Sequence, residues 1–293
     1  MYERIVVPLD GSELAEEALP YVKELASRLQ SEVVLFTVCV PGEAHERLLK
    51  AYLEKRAEEL QSLGIKASPL VVCGNTAKEI LDFSEKNSID LIVISSHGHT
   101  GFSIWPLGSI TNKVLQRSLI PVFMVRSMGM GKPVLEKELQ KILVPLDGSI
   151  FAEKVIPYVE SLADGMDSEV ILLRIIKPIE FPHWGTSGPW VDWEKYEKDL
   201  MAKAERETKR YLSKKESALR NKGLKVSSAS LVGKPTQTIL QYAEDNSVSL
   251  IALAAHGFSG ITGWAYGSVA SKIIEVSPKP ILLVRPQLPS LKT

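Results

Sequence analysis

The chain contains the same sequence pattern twice, and this duplication limits the folds that it can adopt. Residues 4–12 read RIVVPLDGS and residues 141–149 read KILVPLDGS. Towards the end of each copy, residues 121–126 read PVFMVR and residues 280–285 read PILLVR. Similarity at both ends of two long segments indicates two copies of one domain. The total of 293 residues gives each copy the length of an ordinary globular domain.

A stretch that contains glycine and proline separates the two copies. It spans residues 128–138 and reads MGMGKPVLEKE, a composition typical of a linker. We therefore predict a first domain over residues 1–127 and a second domain over residues 139–293.

Short apolar runs alternate with amphipathic helical patterns in both copies. In the first copy, the apolar run at residues 5–8 precedes a segment in which Leu14, Ala18 and Leu25 recur with helical spacing. Strands that alternate with helices favour right-handed crossovers and a parallel sheet. The strand-like runs are almost wholly apolar, which is typical of sheets covered on both faces. The sequence thus predicts the α/β class, with two tandem doubly wound domains and helices on both faces of each sheet.

The second copy carries an insertion of about 22 residues that the first copy lacks. The inserted region, at about residues 178–196, combines glycine and proline with several aromatic side chains. These residues are Phe181, His183, Trp184, Trp190, Trp193 and Tyr196. Two interpretations stay open: a lid or partner contact, and an ordered excursion packed on the surface.

Composition and charge argue against several classes of function. Lys plus Arg equals Asp plus Glu at 35 each, so we expect no basic surface for nucleic acid. No apolar run approaches the ~18 residues that a membrane span needs. Strand-like sequence begins at Ile5, so we expect no signal peptide. Cys39 and Cys73 lie in separate strand-like runs, which favours buried reduced thiols over a disulfide, and a cytoplasmic location.

Three segments of each copy are expected to meet at the carboxyl ends of the strands, where open parallel sheets bind ligands. The first holds Asp10 or Asp147, whose carboxylate can accept hydrogen bonds from ribose hydroxyls. An Asp-Gly-Ser sequence can also form a simple turn and helix cap. The second segment ends with Val38 or Ile175, which can contact a purine or only pack in the core. The third is a glycine-containing loop before a helix, and the free N–H groups at a helix start bind anions.

The start motif and this loop together resemble those of the universal stress protein family. The loop reads GHTGFSIWPLGS over residues 98–109 and GFSGITGWAYGS over residues 257–268, with nine residues between the first and last glycine. Both copies carry the pattern, so the chain is similar to a tandem universal stress protein. The resemblance implies a five-stranded parallel sheet of strand order 3-2-1-4-5 in each domain.

The resemblance also implies binding of ATP, ADP or AMP, with Mg²⁺ accompanying a triphosphate. Asp10 and Asp147 would hold the ribose, Val38 and Ile175 would line the adenine site, and the loop with the following helix start would hold phosphates. The implied cofactor-binding residues are Pro8, Leu9, Asp10, Ser12, Val38, Gly98, Gly108, Ser109, Ile110 and Thr111 in the first domain, and Pro145, Leu146, Asp147, Ser149, Ile175, Gly257, Gly267, Ser268, Val269 and Ala270 in the second.

Three departures from the family pattern bear on the phosphate sites. The family motif has a further glycine three residues before Gly98 and Gly257, and this chain has Ser95 and Ala254 there. These residues would be strained if the position needs a positive φ. A position that is often basic in the family holds His99 or Phe258. The hydroxyl of Thr111 has no counterpart in the second copy, so we rank the first domain as the better phosphate site.

His97 and His256 occupy matched positions, but the sequence around them does not predict catalysis. A nucleophile and a base need a third group that orients the base, and the sequence identifies none. The second copy also has alanines where the first has Ser95 and Ser96. We therefore predict that both histidines pack or bond to the backbone. We predict no catalytic residue and no metal site, since no His/Cys cluster has zinc spacing.

These patterns together predict an adenine-nucleotide-binding stress-response protein that acts as a sensor or regulator. Two alternatives stay open: an interaction module whose nucleotide sites have decayed, and a slow ATPase. The last strand of each copy, at residues 122–125 and 281–284, would be a sheet edge that attracts pairing. By the resemblance, these edges pair within the chain and two chains form a homodimer. Nucleic acid and membranes are not expected partners.

Overall fold

The computed structural model describes residues 1–39, 46–98, 107–127, 139–178, 193–257 and 266–285. The predicted linker, His99, Phe258 and most of the aromatic insertion lie outside these described residues.

Each half of the chain alternates strands with helices, as the sequence predicts. The elements of the first half are β1 (Arg4–Pro8), α1 (Glu13–Glu16), α2 (Leu19–Leu29), β2 (Glu32–Cys39), α3 (Glu46–Gln61), β3 (Ala67–Cys73), α4 (Thr76–Lys86), β4 (Leu91–Ser95), α5 (Ser109–Arg117) and β5 (Val122–Val125). Those of the second half are β6 (Lys141–Pro145), a 3₁₀ helix (Ala152–Val155), α6 (Ile156–Met166), β7 (Glu169–Ile176), α7 (Trp193–Arg220), β8 (Lys225–Val232), α8 (Pro235–Asp245), β9 (Leu250–Ala254), α9 (Ser268–Val276) and β10 (Ile281–Val284).

The strands form one ten-stranded sheet in the order β3-β2-β1-β4-β5-β10-β9-β6-β7-β8. Within each half the neighbouring strands are parallel and follow the predicted order 3-2-1-4-5. β5 and β10 pair antiparallel, with Met124 opposite Ile281 and Val122 opposite Leu283. The predicted fold class is therefore confirmed, and the two edge strands join the halves into a continuous sheet within the chain.

Apolar side chains cover both faces of this sheet. Because successive residues of a strand point to opposite faces, Val7 and Leu35 lie in one core while Val6 and Phe36 lie in the other. Every residue of β4 and of β5 is buried. Burial on both faces explains why the strands read as continuous apolar runs and not as alternating patterns.

Two equivalent arginines connect the halves next to the β5–β10 pair. Arg126 follows β5 and donates hydrogen bonds to two carbonyl oxygens at the carboxyl end of α9. Arg285 follows β10 and donates to two carbonyl oxygens at the carboxyl end of α5. A cation is favourable there because the last carbonyls of a helix lack backbone partners. Burial lowers the pKa of both guanidinium groups.

Cys39 and Cys73 form a disulfide, so the prediction of two reduced thiols was wrong. The parallel register of β2 and β3 places these residues opposite each other, with their Cα atoms 4.5 Å apart. That separation lies within the range a disulfide spans, and it depends on strand register, which their sequence separation of 34 residues does not reveal. The equivalent pair in the second half is Ile176 and Val232. The argument from free thiols to a cytoplasmic location is withdrawn with the thiols.

The helix α7 begins at Trp193, within the last part of the predicted insertion, and is much longer than its counterpart α3, with 28 residues against 16. Its buried face includes Leu212 and Leu219, and it packs on β7 and β8. Charged residues cover most of its remaining length. In the described part of the chain, neither this helix nor any other is long and apolar enough to cross a membrane.

Candidate functional site

Each half has a cavity at the carboxyl ends of its strands, where the sequence predicts a ligand site. The first cavity has a volume of about 140 Å³ and the second about 520 Å³. Of the twenty predicted site residues, all except Ser12 and Ser149 line one of the two cavities. The fold therefore brings the three predicted segments together in both halves.

Ser12 and Ser149 hold the two aspartates in place instead of lining the cavities. Asp10 Oδ1 accepts hydrogen bonds from Ser12 N at 3.0 Å and from Ser12 Oγ at 2.6 Å. Ser12 Oγ in turn accepts from Ala15 N at 3.1 Å, which caps α1. In the second half, Ser149 N donates to Asp147 Oδ1 at 2.9 Å. The turn-and-cap interpretation of Asp-Gly-Ser is thus correct for the serine, and the same turn presents the aspartate to the cavity.

The first glycine of each loop lies directly against the aspartate of the same half. A Cβ on Gly98 would overlap Asp10 Oδ2, and a Cβ on Gly257 would overlap Asp147 Oδ2. Neither glycine has a positive φ, so close approach and not backbone conformation requires the absence of a side chain. Ser95 also lacks a positive φ, as does Ala254, so the strain considered for these two substitutions is absent.

The helices α5 and α9 begin at the cavities with Gly108 and Gly267 as their N-caps. Neither cap supplies a side-chain hydrogen bond to the first turn. The N–H groups at the start of both helices are thus available to an anion in the cavity, and the helix dipole favours negative charge there.

A buried hydroxyl network lies behind the loop of the first half. Ser95 Oγ is 2.6 Å from Leu14 O and also contacts Ser127 Oγ. Ser96 Oγ is 3.0 Å from His97 Nδ1 and accepts a hydrogen bond from Ser127 N at 2.9 Å. His97 is buried in this network, and its ring contacts a side-chain hydroxyl, whereas the sequence predicted packing or a bond to the backbone. The second half has alanines at 254 and 255, so it lacks the two central hydroxyls.

Thr111 belongs to the same network. Its hydroxyl donates to Ser95 O at 2.7 Å, and the residue is only 4% exposed. Because this hydroxyl is used inside the protein, it gives no reason to rank the first domain as the better phosphate site. The larger cavity of the second half also opposes that ranking.

The model of the universal stress protein family matches residues 1–126 and 138–285. The chain belongs to the universal stress protein family. A universal stress protein of Methanocaldococcus jannaschii is 31% identical over 153 residues, which cover 50% of this chain and 94% of that protein. A universal stress protein of Synechocystis is 24% identical, and the match covers 97% of this chain and all of the other.

A solved structure supports the same fold along the full chain. The crystal structure of a universal stress protein from Archaeoglobus fulgidus matches with a TM-score of 0.66 and 20% identity. The match covers 97% of this chain and 99% of that one. At this level of identity the similarity shows the fold alone. Together with the family match, it confirms the tandem organisation that the repeat indicates.

This universal stress protein has basic groups at its second cavity that sequence reasoning missed. Arg174 and Lys177 line that cavity, whereas no lysine or arginine among the described residues lines the first. The guanidinium of Arg174 lies over the ring of Tyr211, with its carbon 5.0 Å from the ring centroid. The sequence did place Arg174 next to Ile175 at the end of a strand. The equivalent residue of the first half is Thr37, and this difference in charge could have marked Arg174 as a residue of the second cavity.

Helix α7 also contributes a wall that the sequence did not predict. Ala204, Glu207 and Thr208 lie on one face of this helix and line the second cavity. Their helical spacing is the signal that could have revealed them. Among the described residues, no group of three or more His, Cys, Asp or Glu could hold a metal ion.

Proposed function

We propose that this universal stress protein binds an adenine nucleotide at the strand-end cavities and acts as a sensor or regulator in a stress response. One observation carries the proposal: the Asp147 carboxylate and the uncapped start of α9 face the same cavity of about 520 Å³. A carboxylate suits ribose hydroxyls, and a helix start suits phosphate. The volume lies within the roughly 300–1,000 Å³ typical of small-molecule sites.

Apolar residues beside the aspartate supply a surface for a purine ring. In the second half these are Ile175 and Ile239, and in the first half Val38, Phe36 and Ile80. A flat aromatic base can pack between such side chains, which leaves its polar edge to backbone groups.

We propose that the second half is the stronger site. Its cavity is large enough for a nucleotide and has basic side chains, whereas the first cavity of about 140 Å³ is smaller than most ligand sites. Mg²⁺, if it accompanies a triphosphate, would be held by phosphate oxygens and waters with few protein ligands. The homodimer stays a prediction of the family resemblance, and the cytoplasmic location stays a prediction that the cysteines no longer support.

Calorimetric titration of the purified chain with ATP, ADP and AMP tests this proposal. We expect one strong binding event, weakened about 10- to 100-fold by Asp147→Ala, because hydrogen bonds to charged groups contribute about 1.5–3 kcal/mol. Asp10→Ala is the matched control and should leave that event unchanged. Absence of binding, together with no nucleotide released from the denatured protein, would favour the interaction module. Phosphate release that Asp147→Ala abolishes would favour the slow ATPase.

A further inference from the structure

The second cavity extends beyond the predicted site into a space between the end of β7 and helix α7. We define this side chamber by its lining residues Arg174, Lys177, Ala204, Glu207 and Thr208. We propose that the side chamber binds a phosphate group carried on the ribose of an adenine nucleotide. The inference rests on the proposed function and specifies the ligand more closely.

The described residues of the first half that correspond to the chamber differ in chemistry from those of the second. The counterparts of Lys177 and Ala204 lie outside the described residues. The helix-ending Gly64 and Gly223 align α3 with α7, and the alignment pairs Leu49 with Thr208. The same alignment places Leu48 opposite Glu207. At the strand end, the counterpart of Arg174 is Thr37, whose hydroxyl donates to Leu9 O at 2.7 Å and is buried. At these three described positions, polar or charged groups of the second half thus correspond to apolar or internally bonded groups of the first.

A second shared feature supports this alignment. Tyr52 donates a hydrogen bond to Glu16 at 2.8 Å, and Arg56 pairs with the same carboxylate. The equivalent residues of the second half are Tyr211, Glu153 and Lys215. Lys215 pairs with Glu153 at 2.6 Å and lies 5.8 Å from the centroid of the Tyr211 ring. In both halves a basic residue of the long helix therefore pairs with a glutamate that follows the start motif. The tyrosine bond is not shared, because the buried Tyr211 hydroxyl makes no hydrogen bond among the described residues. Arg174 is an additional cation in the second half.

The guanidinium of Arg174 lies beside the turn that presents Asp147. A Cβ on Gly148, the next residue, would be 2.9 Å from Arg174 Nη1. Within the described ranges this guanidinium makes no ion pair or hydrogen bond, and its contact with the Tyr211 ring leaves its N–H donors available. A planar guanidinium matches the geometry of phosphate oxygens. The chamber therefore presents a half-buried cation, with no direct ion pair among the described residues, next to the carboxylate proposed to hold the ribose.

The position of the Arg174 guanidinium beside Asp147 favours a nucleotide that carries a phosphate on its ribose. In dinucleotide-binding folds, an acidic residue holds free ribose hydroxyls and a nearby arginine accommodates a phosphate on the ribose. Here Asp147 and Arg174 are neighbours, and Thr208, which is 2% exposed, adds a hydroxyl to the chamber wall. Lys177 is exposed at the chamber and adds a second positive charge. Glu207 makes only a long, exposed ion pair with Lys203 at 4.0 Å, so its carboxylate lowers the net positive charge of the chamber.

Competition titrations of the full chain with adenosine 2′,5′-bisphosphate, adenosine 3′,5′-bisphosphate and AMP test the proposal. We expect at least one bisphosphate to bind about 10-fold or more tightly than AMP, as a charge-assisted hydrogen bond to phosphate predicts. Arg174→Thr introduces the residue found in the first half and should bring this ratio close to one. Arg210→Thr, at an exposed position of helix α7, should retain the ratio. Arg174→Lys keeps the charge without the planar fork and should give an intermediate ratio.

The outcomes separate the two proposals. Equal affinity for all three ligands would overturn the side-chamber proposal and leave nucleotide binding intact. A preference that persists in Arg174→Thr would also overturn it, because the selecting group would then lie elsewhere. Binding of none of the three would overturn both. A thermal melt of each variant verifies that a lost preference is not caused by unfolding.

Discussion

The two halves of the chain share a strand order and the turn that holds the aspartate, but they differ in what surrounds that turn. The first half has a disulfide at the ends of β2 and β3 and a buried hydroxyl network behind its loop. The second half has aliphatic and alanine residues at those places and a cavity of 520 Å³ against 140 Å³. Replacements at the strand ends can thus change the size and charge of a site while the sheet that supports it stays the same.

Reduction of the disulfide, which joins two strands of the first half, should give the largest change in the free energy of unfolding. Breaking the Cys39–Cys73 bond should lower the free energy of unfolding by about 3–4 kcal/mol, because the reduced chain gains entropy when unfolded. Urea unfolding with and without a thiol reductant measures this change. Cys39→Ala combined with Cys73→Ala should be insensitive to the reductant. If the urea transition of the wild-type protein is unchanged after both thiols are verified as reduced, the disulfide does not stabilise the first half.

The two interfacial arginines provide the next test. Arg126→Ala should lower the free energy of unfolding by about 1.5–3 kcal/mol, since the helix carbonyls lose charge-assisted hydrogen bonds. Arg285→Ala should have a smaller effect, because Arg285 Nε is buried and makes no hydrogen bond among the described residues. Both values come from urea unfolding curves, with Arg126→Lys as the variant that keeps the charge. A larger effect of Arg285→Ala would reverse the expected order.

The two loop glycines should affect binding in their own half only. Gly257→Ala should weaken nucleotide binding in the second half about 10-fold or more, because the new Cβ displaces the Asp147 carboxylate from its position. Gly98→Ala should leave that binding event unchanged, since it displaces Asp10 in the other half. Calorimetric titration of both variants makes the comparison. If the two substitutions weakened the same event equally, the sites would not be independent.

Loss of one hydroxyl from the buried network of the first half should give the smallest of these effects on the free energy of unfolding. Ser127→Ala removes the contact with Ser95 and should lower the free energy of unfolding by about 1 kcal/mol. Ser271→Ala, which removes an exposed hydroxyl on α9, should change it by less than about 0.5 kcal/mol. Unfolding curves of the two variants, recorded under the same conditions, test whether the network stabilises the first half. Equal values for both would mean that it does not.

Much of the fold could be predicted because it depends on patterns that are local or repeated. The apolar runs and the duplicated PLDGS motif predict the strands and the position of the candidate site, and the family resemblance predicts the strand order within each half. The disulfide could not be predicted, since it depends on the register between β2 and β3. Thr111 was misjudged because sequence identifies a hydroxyl but not its direction, and here the hydroxyl points to Ser95 O.

The side chamber shows a second limit of sequence reasoning. Arg174 is next to a predicted site residue, but its importance depends on helix α7, whose contacting residues are about thirty positions away along the chain. Gly98 lines the first cavity, but the sequence did not reveal its close approach to Asp10. Such features arise when elements from distant parts of the chain are packed together.

The antiparallel pairing of β5 with β10 has a consequence for how such a protein can evolve. In an assembly of identical chains, every substitution alters all binding sites at once. Here the two halves are encoded in one chain and held by one strand pair, so each substitution alters a single site. One half can therefore lose its cavity or gain a new specificity while the other keeps its original role, and the two sites are always made in a one-to-one ratio.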